Sequence, residues 1–235
     1  MPAPPAVILD VGGGSGVYAR WLAALGYESH LVDPVGLHLE QARSAGGPAL
    51  ASISKGTARS LRWPDGKADA VLLCGPLYHL TERRQRVEAL RESRRVIREG
   101  GTVFAVGISK FSPVFSGLFR KLLDDAAAVE LVSGVLRDGQ HRNPSRRPEY
   151  FTTAFFHHPD ELREELEESG LRSEGLFGVE GVAGLLGELD HYWDDARRRE
   201  QLLGLLRALE AEPSLLGMSA HLLAVGRKAA ARRTN

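Results

Sequence analysis

Residues 7–16 read Val-Ile-Leu-Asp-Val-Gly-Gly-Gly-Ser-Gly, and no other stretch limits the possible folds as much. An apolar run of strand character ends at Asp10 and enters a glycine cluster at once. A helical pattern of Tyr18, Trp21, Leu22 and Leu25 follows directly. Strand, glycine turn and helix in succession bring the backbone close to a nucleotide-like ligand at a helix N-terminus, where N–H groups lack intrahelical partners. Glycines at 12, 14 and 16 give the pattern D-x-G-x-G-x-G. A dinucleotide fingerprint begun at Gly12 needs glycine where Val17 stands; begun at Gly13 it needs glycine where Ser15 stands. The pyrophosphate-binding reading therefore fails.

Apolar runs and helical patterns alternate through the first half. Residues 7–11, 29–32, 70–73 and 102–108 read as strands, and 15–25, 36–45 and 82–99 as helices. The last helix carries Val87, Leu90 and Ile97 on one face and meets Gly100-Gly101, a pair that reads as its C-terminal cap. This alternation implies a parallel sheet covered on both faces. At 110 the rhythm breaks. Residues 110–155 combine an apolar helix-like piece (Phe115, Leu118, Phe119, Leu122, Leu123), a polar loop over 138–148 and the aromatic pair Tyr150-Phe151. They read as an insertion that covers a substrate. A helix over 159–170, a strand-like stretch at 171–179, a helix near 194–211 and a final strand at 221–226 complete the chain. Leu202, Leu205, Leu206 and Leu209 stand at core spacing in the second of these helices. At 235 residues the chain suits one α/β domain over 1–235, with the insertion inside it.

Thirty basic and thirty acidic side chains cancel, which argues against a broad nucleic-acid surface. The arginine groups, Arg83-Arg84-Arg86 among them, are interleaved with glutamates and read as solvated helix faces. Cys74 is the single cysteine, which excludes an internal disulfide and fits a reducing cytoplasm. The start, Met1-Pro2-Ala3-Pro4-Pro5, lacks the charged and apolar regions of a secretory signal. No apolar run approaches the roughly 20 residues of a membrane span. His157-His158 is an adjacent pair and no C-x-x-C or H-x-x-x-H spacing occurs, so no metal site is expected. The expectation is a cytoplasmic monomer or homodimer acting on a small molecule, with neither nucleic acid nor membrane as partner.

Asp33 ends the second strand, just before Pro34. A carboxylate at that place in such a sheet accepts hydrogen bonds from both ribose hydroxyls. Further on stand Gly56-Thr57-Ala58-Arg59 with Leu61 and Trp63-Pro64, then Ala-Asp-Ala-Val-Leu-Leu-Cys-Gly at 68–75, then Arg-Val-Ile-Arg-Glu-Gly-Gly at 95–101. With these pieces in order, the chain resembles the class I S-adenosylmethionine-dependent methyltransferases of small-molecule type. Glu99 stands where the family usually has proline, and Thr57 where many members have an aspartate facing the adenine amino group.

The resemblance implies a doubly wound, Rossmann-like sheet of seven strands. That sheet is mostly parallel with a reversed C-terminal strand, has helices on both faces and carries a lid insertion after the fifth strand. It implies S-adenosyl-L-methionine as cofactor and S-adenosyl-L-homocysteine as product. The cofactor-binding candidates are Asp10, Gly12, Gly13, Gly14, Gly16, Asp33, Pro34, Thr57, Ala58 and Cys74. The fourth strand runs into Cys-Gly-Pro-Leu-Tyr-His rather than the Asn/Asp-Pro-Pro-Tyr/Phe of base-amino methyltransferases, which argues against methylation of a nucleic-acid base.

The sulfonium of this cofactor is already an activated electrophile. The protein has to align a nucleophile and exclude water, effects worth up to about 7–11 kcal/mol. A hydroxyl or protonated-amine nucleophile also needs a base. Tyr78 and His79 lie where the transferable methyl is expected and are the catalytic candidates. The other reading makes His79 a cap for the next helix and Tyr78 a packing residue. His141, Arg146 and Tyr150 in the insertion are the candidates for holding the acceptor. Two further functions stay open: a regulatory S-adenosylmethionine-binding protein or a catalyst of another displacement on the sulfonium, and a methyltransferase acting on RNA or protein.

Overall fold

The computed structural model describes residues 1–144 and 150–230; Arg146 lies outside the described residues. In chain order the elements are β1 (Val7–Val11), α1 (Val17–Ala24), β2 (Glu28–Asp33), α2 (Gly36–Ser44), β3 (Ser52–Lys55), β4 (Ala68–Leu73), α3 (Pro76–His79), α4 (Arg83–Val96) and β5 (Ile97–Ser109). After these come α5 (Ser112–Phe119), α6 (Ala126–Asp138), β6 (Gln140–His141), β7 (Ala154–His157), α7 (Pro159–Glu168), β8 (Arg172–Gly178), α8 (Leu189–Trp193), α9 (Ala196–Leu209) and β9 (His221–Arg227). The chain divides into two compact units. The first comprises Met1–Val106, Arg163–Glu174 and the stretch from Ala224; the second comprises Gly107–Leu162 and Gly175–Leu223.

In the first unit the strands run in the order β3-β2-β1-β4-β5, all parallel. β1 is central: Asp10 lies level with Leu31 of β2 and Leu72 of β4. Its apolar run is continuous because both faces are covered. Ile8, Ala70 and Leu72 pack with Leu22 of α1 in one core cluster. Leu31 packs with Ala19 of α1 and with Leu39 and Ala42 of α2 in another. The last strand is reversed. Gly100 N–H donates to Lys228 O (2.9 Å), whereas Ser109 N–H donates to Ala220 O (2.9 Å), so β9 descends as β5 rises. The doubly wound, mostly parallel plan with a reversed final strand is thus the one the sequence implies.

Several local expectations are corrected. Among the described residues the sheet has nine strands rather than seven. The extra pair comes from the irregular segment: β7 runs parallel to the end of β5 (Ile108 level with Phe156), and β6 runs antiparallel to β7. α4 stops at Val96, not at the glycine pair, because Gly66 and Lys67 N–H take the carbonyls of Arg95 (3.0 Å) and Val96 (2.9 Å). Gly100 (φ +71°) then bends β5 from within, and the pairing with β4 slips between Ala68 and Ala70 to accommodate it. The leucines of α9 are not core residues: none is buried, and Leu205 is 67% exposed. Among the described residues no helix is long and apolar enough to cross a membrane.

Candidate active site

The glycine turn starts where β1 ends. Gly12 N–H donates to Val32 O at 2.7 Å and ties the turn to β2. Gly12, Gly14 and Gly16 have φ of +68°, +60° and +83°, a left-handed conformation that costs little only without a Cβ. Gly13 is required for a different reason: a Cβ there would lie 2.3 Å from Asp10 Oδ2. Gly16 precedes α1 and offers no side-chain cap of its own; Asp10, from the end of β1, reaches the N–H of Ala19 in the first turn.

Two buried carboxylates brace the turn. Asp10 Oδ2 accepts from Ala19 N–H in α1 (3.1 Å), and Asp10 Oδ1 is buried without a partner. Burial pushes the Asp10 pKa up to about 6; the Ala19 N–H opposes the rise and the charge of Asp33 adds to it. Asp33 Oδ2 accepts from Gly14 N–H (2.9 Å). Its Oδ1 accepts from Val35 N–H (2.9 Å) and faces His38 Nδ1 (3.1 Å). Asp33 therefore joins the turn, the end of β2 with Pro34, and the start of α2. Beyond β3, Gly56 N–H donates to Asp33 O (3.2 Å), Thr57 is exposed and Ala58 is buried.

The segment after β4 forms another edge of the same unit. A Cβ on Gly12 would lie 2.5 Å from Pro76 Cγ, so the turn and the start of α3 approach as closely as backbone allows. Cys74 packs against the β1–β4 core, and burial together with the Asp10 charge pushes its thiol up to about 12. It is therefore no thiolate nucleophile near neutral pH. Tyr78 donates its hydroxyl to Cys74 O (3.3 Å), and burial raises its pKa, with Cys74 and Tyr18 adding to the rise. His79 lies 4.8 Å from the Tyr78 ring, and desolvation lowers its pKa although the residue is exposed overall. The residue at the N-cap of α4 is Glu82, so His79 does not cap that helix.

Sequence reasoning missed Arg86. It was expected on a solvated face, but its side chain is only 2% exposed. It donates to Leu80 O (3.0 Å) and Thr81 O (2.9 Å), and through Nη2 to Glu165 Oε1 (2.6 Å). Arg86 thereby fixes the chain just after Tyr78 and His79. Its position one residue before Val87, on the apolar side of α4, was the available signal.

The second unit holds a cavity of about 270 Å³. Ile108, Leu123, Leu131, Phe151 and Phe156 line it, together with His141, Tyr150 and His221. Buried His141 donates its Nε2–H to Tyr150 O, and Tyr150 donates its hydroxyl to Asp125, the N-cap of α6. Burial lowers the His141 pKa and the Tyr150 contact opposes it. The fold thus brings two of the expected acceptor residues, His141 and Tyr150, to one cavity.

A parallel α/β sheet whose first turn carries braced glycines at a helix N-terminus defines a class of proteins that bind a nucleoside-bearing small molecule at that turn. Residues 9–105 match the model of a family described as a methyltransferase domain. The match spans under half of the chain and marks these residues as similar to a methyltransferase domain. No curated protein sequence matches it. Among solved structures it is similar to an S-adenosylmethionine-dependent methyltransferase from Methanosarcina mazei (16% identity, 97% of this chain and 94% of that one, TM-score 0.64). It is also similar to one from Mesorhizobium loti (14% identity, 97% and 94%, TM-score 0.64). The CcbJ methyltransferase from Streptomyces caelestis is a further match (16% identity, 97% and 85%, TM-score 0.60). At these identities the likeness is one of fold.

Proposed function

We propose that this enzyme transfers the methyl group of S-adenosylmethionine to a small-molecule acceptor. The observation that carries the acceptor class is the apolar, aromatic-walled cavity of the second unit, whose size suits a small molecule rather than a chain segment. The balanced charge of the sequence favours the same reading.

The residues of the glycine turn fit the cofactor. Asp10 Oδ1, buried and unpartnered, suits the ammonium of the methionine end. A Cβ on Gly14 would meet nothing within 4 Å, so the turn leaves room for a ligand over its N–H groups. In this reading the carboxylate lies against the turn, on N–H groups other than those of Gly12, Gly14 and Gly16, which are already paired. Asp33 receives the ribose hydroxyls, with half-buried His38 as the partner that yields. The backbone at Thr57-Ala58 and the Cys74 side chain border the adenine. The cofactor itself supplies an activated methyl group. Tyr78 and His79 border that end, and described residues of the 110–155 segment, Leu123 and Phe151 among them, line the acceptor cavity.

The test pairs calorimetry with product analysis. S-adenosylmethionine at 100-fold over its Kd should stabilise the chain by about 2.7 kcal/mol, and Asp33→Ala should remove most of the thermal shift. Incubation with metabolite extract should release S-adenosylhomocysteine and methylate a low-mass compound. Labelled methyl found in the macromolecular fraction would overturn the small-molecule reading, and methylthioadenosine as by-product would overturn methyl transfer.

A further inference from the structure

One polar pair at the cavity is built with more care than a surface ion pair needs. Glu180, between β8 and β9, directs Oε1 at His221 Nδ1 (2.5 Å). Its Oε2 accepts from His221 N–H (2.8 Å) and from Ser219 Oγ (3.1 Å). Ser219, fully buried, in turn accepts from the N–H groups of Glu180 and Gly181 (3.1 Å each). Burial works to raise the Glu180 pKa, but the ring and backbone N–H of His221 hold it down at about 2. The carboxylate is thus anionic and fixed in orientation. In the uncharged form of the ring this contact places the proton on Nδ1, which leaves Nε2 with a lone pair. The His221 side chain is 39% exposed and lines the cavity. Among the other lining groups, His141 spends its Nε2–H on Tyr150 O, Tyr150 spends its hydroxyl on Asp125, and Arg120 is a cation. The Nδ1 lone pair of His141 is also unpartnered but is buried, so among the described lining groups His221 is the partly exposed imidazole whose lone pair a ligand can reach.

We propose that His221, positioned by Glu180, receives the hydroxyl hydrogen of a one- or two-ring apolar compound bound in this cavity. The volume sets the size: a cavity of about 150 Å³ takes benzene, so about 270 Å³ takes up to two fused rings. The aromatic and aliphatic walls set the apolar character, and the oriented lone pair sets the hydroxyl. Where that ligand is the methyl acceptor, which rests on the function proposed above, the same nitrogen acts as base. The O–H bond breaks, the proton goes to Nε2, and the electron pair stays on the oxygen as the nucleophile. The imidazolium returns its proton to water.

The probe is 2-naphthol, with 2-methoxynaphthalene as the analogue that cannot donate. Binding to the full chain is measured by calorimetry without cofactor, alongside ¹⁵N NMR of the histidine rings. The naphthol should bind about tenfold tighter than its ether, as one hydrogen bond permits. The His221 ring should show protonated Nδ1, with Nε2 shifting on binding. His221→Ala should erase the preference. Glu180→Gln, with folding checked by thermal melt, should reduce it and mix the two tautomers. Equal affinity for the two naphthalenes, or no binding of either, would overturn the proposal. A hydroxyl preference lost in His221→Ala, with no cofactor-dependent methylation of any compound, would uphold this site and sink the acceptor reading instead.

Discussion

Asp10 is where burial and ligand pull a single residue in opposite directions. Its carboxyl is fully buried with one N–H donor, and its folded pKa stands at about 6 against 3.8 in the unfolded chain. A rise of about two units is about 3 kcal/mol against the ionised form. A raised carboxyl pKa favours the fold fully below the unfolded value and loses that contribution as pH climbs through the folded one. Wild type should therefore lose stability relative to Asp10→Asn between pH 4 and 6, read from urea midpoints; parallel profiles would refute this. The cofactor's ammonium favours the ionised form, so S-adenosylmethionine affinity should weaken as pH falls through about 6. In Asp10→Asn, calorimetry across pH 5.0–7.5 should give a flat profile. Gly13→Ala tests the same contact sterically. Its Cβ would overlap Asp10 Oδ2, so we expect a loss of about 1–3 kcal/mol and no cofactor binding at concentrations that saturate wild type. Normal binding by this variant would show that the Asp10 side chain moves freely, contrary to its burial.

At the scale of elements, legibility followed the range of the interaction. β1, the turn and α1 were readable because their causes are local: an apolar run, then positive φ at Gly12, Gly14 and Gly16 that only glycine adopts cheaply. The end of α4 was not readable, because its last carbonyls are taken by Gly66 and Lys67 from a distant turn. β3 escaped notice because Ser-Ile-Ser-Lys, a polar edge strand, carries no buried run. Glu180 and His221 are 41 residues apart, and Arg86 and Glu165 are 79 apart, so no spacing rule joins either pair. The second pair links α4 to α7 and anchors the residues after α3 through Leu80 O and Thr81 O. Both side chains are at most 2% exposed, so removing one strands the other as a buried charge. Glu165→Ala should cost about 3–5 kcal/mol, whereas Arg86→Met combined with Glu165→Leu should cost far less than the sum of the single changes. Urea denaturation of the two singles and the double decides it; additive losses would mean that the charges are not coupled.

For the whole molecule, two compact units carry two different kinds of site. The first unit holds the braced turn with Asp10 and Asp33, built from backbone donors and carboxylates; the second holds the apolar cavity with His221. Ligands of such different chemistry should leave separate signatures in amide hydrogen exchange. The Gly14 N–H is held by Asp33 and that of Ala19 by Asp10, so both exchange only when the turn opens. A ligand bound to the closed form suppresses opening in proportion to its concentration over Kd. Saturation at 100-fold should therefore slow these amides by roughly 100-fold. We expect S-adenosylhomocysteine alone to protect residues 12–20 and Val35, and 2-naphthol alone to protect the helices that line the cavity, over 112–119 and 126–138. Mass spectrometry of peptic fragments resolves these segments. S-adenosylhomocysteine that slowed exchange in 126–138 while leaving 12–20 unchanged would remove the cofactor assignment from the glycine turn. The resemblance of residues 9–105 to methyltransferase domains would then need a different physical basis from the one Asp10 and Asp33 supply.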